Sequence, residues 1–508
     1  MRRHDRTRLP ALLVPVTTNV ATPNRFPRSE KNQRQSPLTA QNLVESGSRA
    51  PVPVGVKANV ARVLLNALST QCKAYCILSG YERLPDSFDS DIDFMVGQED
   101  FNRMPRIIEE VARKTGTRLF QAIDHELTGR AYFLGSLDGP ALTIVQPDCA
   151  ADYRHFGRRW LSATEVLGAR RLHPGGFYIP SIAHEFAYSL IKRLNKRSFN
   201  REHGYQLHRL YVEERIECGR MIARFVRGPE GSQIVRMASA NDWAPIYGSI
   251  EPFRAAMMRS RKETFAGNLQ ELPRTVLNFF RRIAQPAGCW IAFMGPDGCG
   301  KSLVLNAVGQ EFAPSFRTPR YFHMRPGFIG RKAANAGPVT DPPGQPPRGT
   351  VASVAKVIDL WLDYTLGYVA RILPGLIRTE LVLFDRCFYD LLVDSKRIRY
   401  GGPPWLLRAA ARVAPGPDLV ILLDAAPEVV RARKQEVPPE EVARQRTGYL
   451  ELARTLPSCV VINAAQLPED VIHDAIAAVI DHLERRTKEH LRIPSGSGPP
   501  AGNAKRPW

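Results

Sequence analysis

Residues 289–302 read CWIAFMGPDGCGKS, and this stretch decides the fold of the C-terminal half. An apolar run passes straight into a glycine-rich turn, and the helix-like SLVLNAVGQEF follows at 302–312. The spacing is GxxxxGK[ST], and strand, loop and helix stand in the order that a phosphate-binding loop requires. Gly295, Gly298 and Gly300 allow a tight path whose N–H groups point at phosphate oxygens, and the helix start adds partial positive charge. Asp297 and Cys299 belong to the same loop. Lys301 is placed to reach the β- and γ-phosphates, and Ser302 to ligate magnesium.

Working outward, the runs LVLFD (381–385), DLVILLD (418–424) and CVVINA (459–464) are short, apolar and separated by helical stretches. Such runs mark strands buried on both faces, which predicts a parallel sheet flanked by helices. The strand ending in Asp385-Arg386 brings a carboxylate to the sheet edge where ligands bind, suited to magnesium, with a cation beside it for a second phosphate.

The loop GPDGCGKS, the Asp-Arg pair and PDLVILLDAAPEVVRARKQ together resemble the thymidylate kinase family over about 287–484. The resemblance implies ATP and Mg2+ as cofactors and γ-phosphoryl transfer to a nucleoside monophosphate, with dTMP as the acceptor. It implies catalytic roles for Lys301, Asp385, Arg386, Arg431 and Arg433, and acceptor contacts for Asp297, Arg386 and Arg325 of the partial motif Arg325-Pro326-Gly327. A mobile lid is implied after Asp424, Pro427 and Glu428, carrying Arg431, Arg433 and Lys434, with Arg444 and Arg446 further on; such a lid excludes water. YDLLVDSKRIRYGG (389–402) resembles a branch of these proteins found in bacterial polysaccharide assembly, so a link to that biosynthesis is an expectation.

A second block, 56–215, contains AYCILSGYERLPDSFDSDIDFMV. Asp91 and Asp93 alternate with Ile92 and so project from one face, as two-metal chemistry needs. LTIVQPD supplies Asp148 as third carboxylate, with Asp152 as understudy. With Gly80 upstream the pattern resembles the nucleotidyltransferase superfamily, an α+β domain, although Tyr81 replaces the family's small residue. Two further readings stay open: nucleotidyl transfer at this triad, and an ATP-binding regulator of polysaccharide assembly, the latter prompted by amphipathic segments around Trp361 and Trp405. The basic helix end KRLNKR (192–197) could hold a phosphate, but a solvated face is the plainer reading. Helical periods dominate up to a turn at 285–288, giving a helical extension and linker over 216–286.

The chain has 508 residues and a formal charge of +20. Residues 1–57 contribute +7 and 485–508 contribute +5, which leaves +8 for the 427 between. A nucleic-acid partner is therefore not expected, and the core cations point to bound nucleotide. Composition marks 1–55 and 485–508 as disordered tails. The cysteines, eight in all, form no CxxC pair, which fits reduced thiols in the cytoplasm. No transmembrane run is expected, and 351–383 reads as an amphipathic helix pair. Peripheral membrane contact and a homodimer stay open.

Overall fold

The computed structural model describes residues 54–260, 282–327, 346–433 and 438–493, apart from the single loop positions 90, 127, 138, 140 and 156. Most of the two expected tails, Lys434 and the proline-rich stretch 338–345 lie outside the described residues. Five strands of the N-terminal half, Tyr75–Ile77 (β1), Asp91–Val96 (β2), Arg118–Glu126 (β3), Gly129–Ser136 (β4) and Thr143–Ala150 (β5), form one sheet in the order β1-β2-β5-β4-β3. Only β2 and β5 run parallel, so the sheet is mixed. Val54–Gln71 (α1) and Gln98–Thr115 (α2) cover one face, their apolar residues sharing a core with Phe94, Leu119 and Tyr132. Two antiparallel ribbons follow, Asp152–His155 (β6) with Arg158–Ser162 (β7), and Arg171–Leu172 (β8) with Tyr178–Ile179 (β9).

Ser181 caps the helix Ile182–Lys196 (α3), its hydroxyl accepting from the His184 N–H, as the sequence predicts. Ile182, Phe186, Leu190, Ile191 and Leu194 are buried on one face, and helices from Arg201 to Ser260 pack around them in a core that also takes in Cys76, Met95 and Trp160 of the strands.

The C-terminal sheet comprises Cys289–Met294 (β10), Pro319–His323 (β11), Leu381–Asp385 (β12), Leu419–Asp424 (β13) and Cys459–Asn463 (β14). All its neighbours are parallel, in the order β11-β12-β10-β13-β14. From β10 the chain goes to the edge strand β11, returns to β12 beside β10, and then crosses to β13 and β14 on the other side. The phosphate loop, between β10 and the helix Lys301–Glu311 (α4), therefore lies at the switch point where such sheets bind ligands. In place of the expected pair there is one unbroken helical run, Thr350–Gly367 (α5), a π-helical turn at Tyr368–Ile372 and Leu373–Ile377, with right-handed helical backbone at both junctions. Among the described residues no helix is long and apolar enough to cross a membrane. All eight cysteines are unpaired.

One boundary moves. The last helix, Pro468–Leu491 (α6), continues past 484, so residues 485–491 are structured and not tail. Two of their basic residues are engaged: Lys488 pairs with Glu109 at 2.7 Å, and Arg486 donates to the Gly288 carbonyl at 2.7 Å. Thr487 donates to the Phe120 carbonyl at 2.9 Å, and Arg118 of β3 binds Glu484 at 2.6 Å. Beside them Phe120, Phe133 and Leu142 of the N-terminal sheet share a core with Val304, Phe312 and Val479. The Phe120 and Phe312 rings meet edge to face at 5.8 Å. Composition alone made this segment a tail because its partners are distant in sequence, Gly288 198 residues and Phe120 367 residues upstream.

Candidate active site

Every residue of CWIAFM is buried, so β10 is fixed between its neighbours and delivers the loop rigidly. Gly295 has φ +135°, and a Cβ there would come within 2.5 Å of the Leu423 carbonyl oxygen, so only glycine fits. Lys301 folds back over the loop, its Nζ donating to the carbonyls of Gly295 (3.0 Å) and Pro296 (2.8 Å). Its ammonium also stands 3.7 Å from the Asp297 carboxylate.

Ser302 donates to Asp385 Oδ2 at 3.0 Å, while Asp385 Oδ1 is buried with no hydrogen-bond partner. One hydroxyl and one carboxylate with a spare lone-pair set are the hard oxygen donors that magnesium takes, so these two residues fit the ion. Sequence reasoning had named both.

Arg386 is 2 % exposed and sits at φ +69°, an uncommon conformation for a residue with a Cβ. Its N–H donates to the Phe293 carbonyl at 2.9 Å, and its guanidinium to Asp390 and the Tyr449 hydroxyl, each at 3.0 Å. The other end reaches Asp297 at 2.5 Å. A buried charge of this kind persists only when its partners are complete. Burial opposes the charge on Asp297, but Arg386, Lys301 and Arg397 outweigh it and hold its carboxyl well below the usual range.

A cavity of about 320 Å³ brings these groups together, with Asp297, Lys301, Ser302, Asp385, Arg386 and Arg433 in its wall. Arg433 also donates to the Ala464 carbonyl at 2.8 Å. Arg431 is exposed and outside that wall. Arg444 and Arg446 bind Glu441 and Asp424 instead. Arg325 is half-buried and does not line the cavity; its N–H donates to the His323 carbonyl at 2.7 Å, and His323 is the lining residue. Cys299 is a buried member of the loop. Sequence reasoning missed Arg397, which also lines the cavity and donates to Asp297 at 2.7 Å. It lies in the 3-10 turn Ser395–Ile398, inside the stretch 389–402 but not singled out there as a site residue; Asp394, at 3.3 Å, orients it.

In the N-terminal half Asp93 and Asp148 are register partners on β2 and β5, and Asp91 lies exposed at the start of β2. Asp93 Oδ2 accepts from the Ser79 hydroxyl at 3.0 Å and is ion-paired with Lys192. KRLNKR is therefore not simply a solvated face, since its first lysine turns inward. Burial opposes the Lys192 charge, but Asp93 outweighs that and raises its pKa. Asp148 stands 3.8 Å from His125 Nε2, and burial followed by the nearby carboxylates pushes its pKa up. Among the described residues no group of three or more His, Cys, Asp or Glu converges as a metal set. Asp152 instead accepts from the Ala163 N–H at 2.9 Å. Tyr81 packs inward and its hydroxyl donates to buried Glu185 at 2.6 Å.

The parallel sheet, its phosphate loop and the magnesium-type pair define a P-loop phosphotransferase domain. No family model matches the chain. Among characterised proteins it is 31% identical over 210 residues to a thymidylate kinase of Symbiobacterium thermophilum, covering 39% of this chain and 95% of that one. It is 28% identical over 223 residues to the thymidylate kinase of Lactobacillus acidophilus, covering 40% and 99%. A solved thymidylate kinase from Ehrlichia chaffeensis matches 37% of this chain and 97% of its own, at 17% identity and a TM-score of 0.29. Through its C-terminal domain the chain belongs to the thymidylate kinase family. The N-terminal domain takes no identity from these relatives.

Proposed function

We propose that the C-terminal domain transfers the γ-phosphoryl group of ATP to a nucleoside monophosphate, with dTMP the first acceptor to test. The observation that carries this reading is the meeting of Lys301, the Ser302–Asp385 pair and buried Arg386 in one cavity. An acceptor phosphate oxygen attacks the γ-phosphorus, the bond to the bridging oxygen breaks, and ADP leaves. Catalysis then consists of alignment and charge neutralisation. Lys301, released from its loop carbonyls, offers its ammonium to the β- and γ-phosphates. Arg386, fixed by Asp390 and Tyr449, cannot follow a misplaced acceptor and so sets its position. Magnesium held by Ser302 and Asp385 supplies charge neutralisation on the triphosphate. Arg433 reaches the same space from the lid side. The unpaired thiols fit a reducing compartment, so we place the protein in the cytoplasm.

The test is a screen of the purified chain with γ-labelled ATP against nucleoside monophosphates and sugar phosphates. Label in dTDP supports the full reading. Label in another diphosphate keeps the phosphotransferase and changes the acceptor, and no labelled product with any acceptor overturns it.

A further inference from the structure

The loop at 324–327 leaves β11 at the end of the sheet where the cavity opens, and it is gripped by side chains that take no part in the phosphoryl transfer itself. We infer that Arg371 is a positioning residue: with Asp363 and Tyr364 it holds this loop in one conformation, and so sets His323 and Arg325 against the acceptor. The inference rests on the phosphotransfer proposed above and deepens its acceptor side.

β11 and β12 are in register, His323 opposite Asp385, and the Met324 N–H donates to the Asp385 carbonyl at 2.9 Å. The loop therefore starts beside the magnesium-type carboxylate. Strand ends of this kind border the crevice of a parallel sheet, and His323 lines the cavity. Past that point the backbone takes an uncommon path, with Met324 at φ +63° and Gly327 at φ +67°. A residue with a Cβ keeps such a conformation only where its surroundings impose it.

Those surroundings come from α5 and the π-helical turn that continues it. The Tyr364 hydroxyl donates to the Met324 carbonyl, and fully buried Asp363 accepts from the Gly327 N–H at 3.2 Å. Arg371, in the π-helical turn, donates from Nη1 to the carbonyls of Pro326 (2.5 Å) and Gly327 (3.0 Å). π-helical turns of this kind recur at functional positions. Arg371 is itself aimed. Its guanidinium carbon stands 5.6 Å from the Phe322 ring centroid, that of Arg320 stands 5.5 Å from the same centroid, and Phe322 stacks on Phe384 at 4.9 Å. Arg320 also donates to the Arg371 carbonyl at 2.8 Å. One arginine thus ties the loop to the two rings that precede His323 and Asp385. The Arg325 guanidinium, by contrast, is half-buried and has no ion pair among the described residues. A cation fixed without a carboxylate beside the cavity suits an anionic group of the acceptor.

The test uses the full chain with γ-labelled ATP and dTMP, or the acceptor that the screen finds in its place. Arg371→Met keeps the stem over Phe322 and removes the donors, so the acceptor KM should rise at least tenfold while the KM for ATP stays within about twofold. Arg371→Lys restores a donor and should bring the acceptor KM back to within about threefold of wild type. Tyr364→Phe should move it in the same direction as Arg371→Met. An unchanged acceptor KM in Arg371→Met, equal rises in both KM values, or no recovery with lysine overturns the inference. Amide hydrogen exchange read by mass spectrometry adds a measurement without acceptor. The peptide covering 319–327 should exchange faster in Arg371→Met, and the peptide covering 289–302 should not. Equal exchange at 319–327, or faster exchange in both peptides, overturns the clamp. If wild type phosphorylates no acceptor, the phosphotransfer reading falls, and exchange alone decides whether Arg371 holds the loop.

Discussion

Asp297 of the phosphate loop and Arg397, 100 residues further along the chain, meet at 2.7 Å in the wall of the nucleotide cavity. The same carboxylate holds Arg386, so one anion sets the spacing of two guanidiniums in the cavity wall. On the proposed reading, an acceptor phosphate would meet both. Charge-assisted bonds of this kind contribute about 1.5–3 kcal/mol. Arg397→Gln should therefore raise the KM for the acceptor about tenfold or more and leave the KM for ATP within about twofold. Steady-state kinetics with each substrate varied in turn checks this.

Removing the Asp385 carboxylate charge should act differently. Asp385→Asn keeps the Ser302 contact but weakens the magnesium donor set, so kcat should fall by about two orders of magnitude, an effect on the order of 3 kcal/mol. Binding of ATP in EDTA should stay near the wild-type value. Metal-dependence curves for the two proteins make the comparison.

The contrast between Asp385 and Arg397 shows what the sequence made legible. Asp385, Lys301 and Ser302 sit at strand and helix ends whose apolar runs and glycines can be read directly, because local chemistry fixes them. Arg397 sits in a 3-10 turn, and its role arises only when β10 and the turn are brought together in three dimensions. Lys192 is a similar case. Its helix was legible from Ser181 and the apolar face, but that the lysine turns toward Asp93 depends on how α3 lies on the sheet. The paired faces of β3 and α6 were hidden for the same reason, and the basic residues at 485–491 looked like tail because charge composition carries no information about distant carboxylates.

That shared face has an energetic consequence. Phe120 belongs to the N-terminal sheet but packs against Phe312 of the kinase core, so Phe120→Ala should destabilise both halves together by about 3–5 kcal/mol. Urea unfolding followed by kinase activity and by tryptophan fluorescence should shift in parallel. A shift in one probe alone would mean that the halves unfold separately.

Acid should weaken the same region. Burial, reinforced by Arg486 and Arg485, lowers His482 from 6.5 to about 4, and its Nε2 is buried without a partner. The unfolded chain therefore takes up this proton first. Stability from this group is complete above about pH 6.5 and is lost as pH falls toward 4, by up to about 3 kcal/mol at about 1.4 kcal/mol per unit. His482→Gln should flatten the profile of thermal stability between pH 6.5 and 4.

The central claim is that the loop lysine of this chain drives phosphoryl transfer. The most direct measurement compares wild type with Lys301→Ala, using γ-labelled ATP, magnesium and dTMP, with Asp91→Ala as the control in the other domain. The account predicts labelled dTDP from wild type and Asp91→Ala at similar rates, and a loss of at least a thousandfold in Lys301→Ala. Full activity in Lys301→Ala would contradict it.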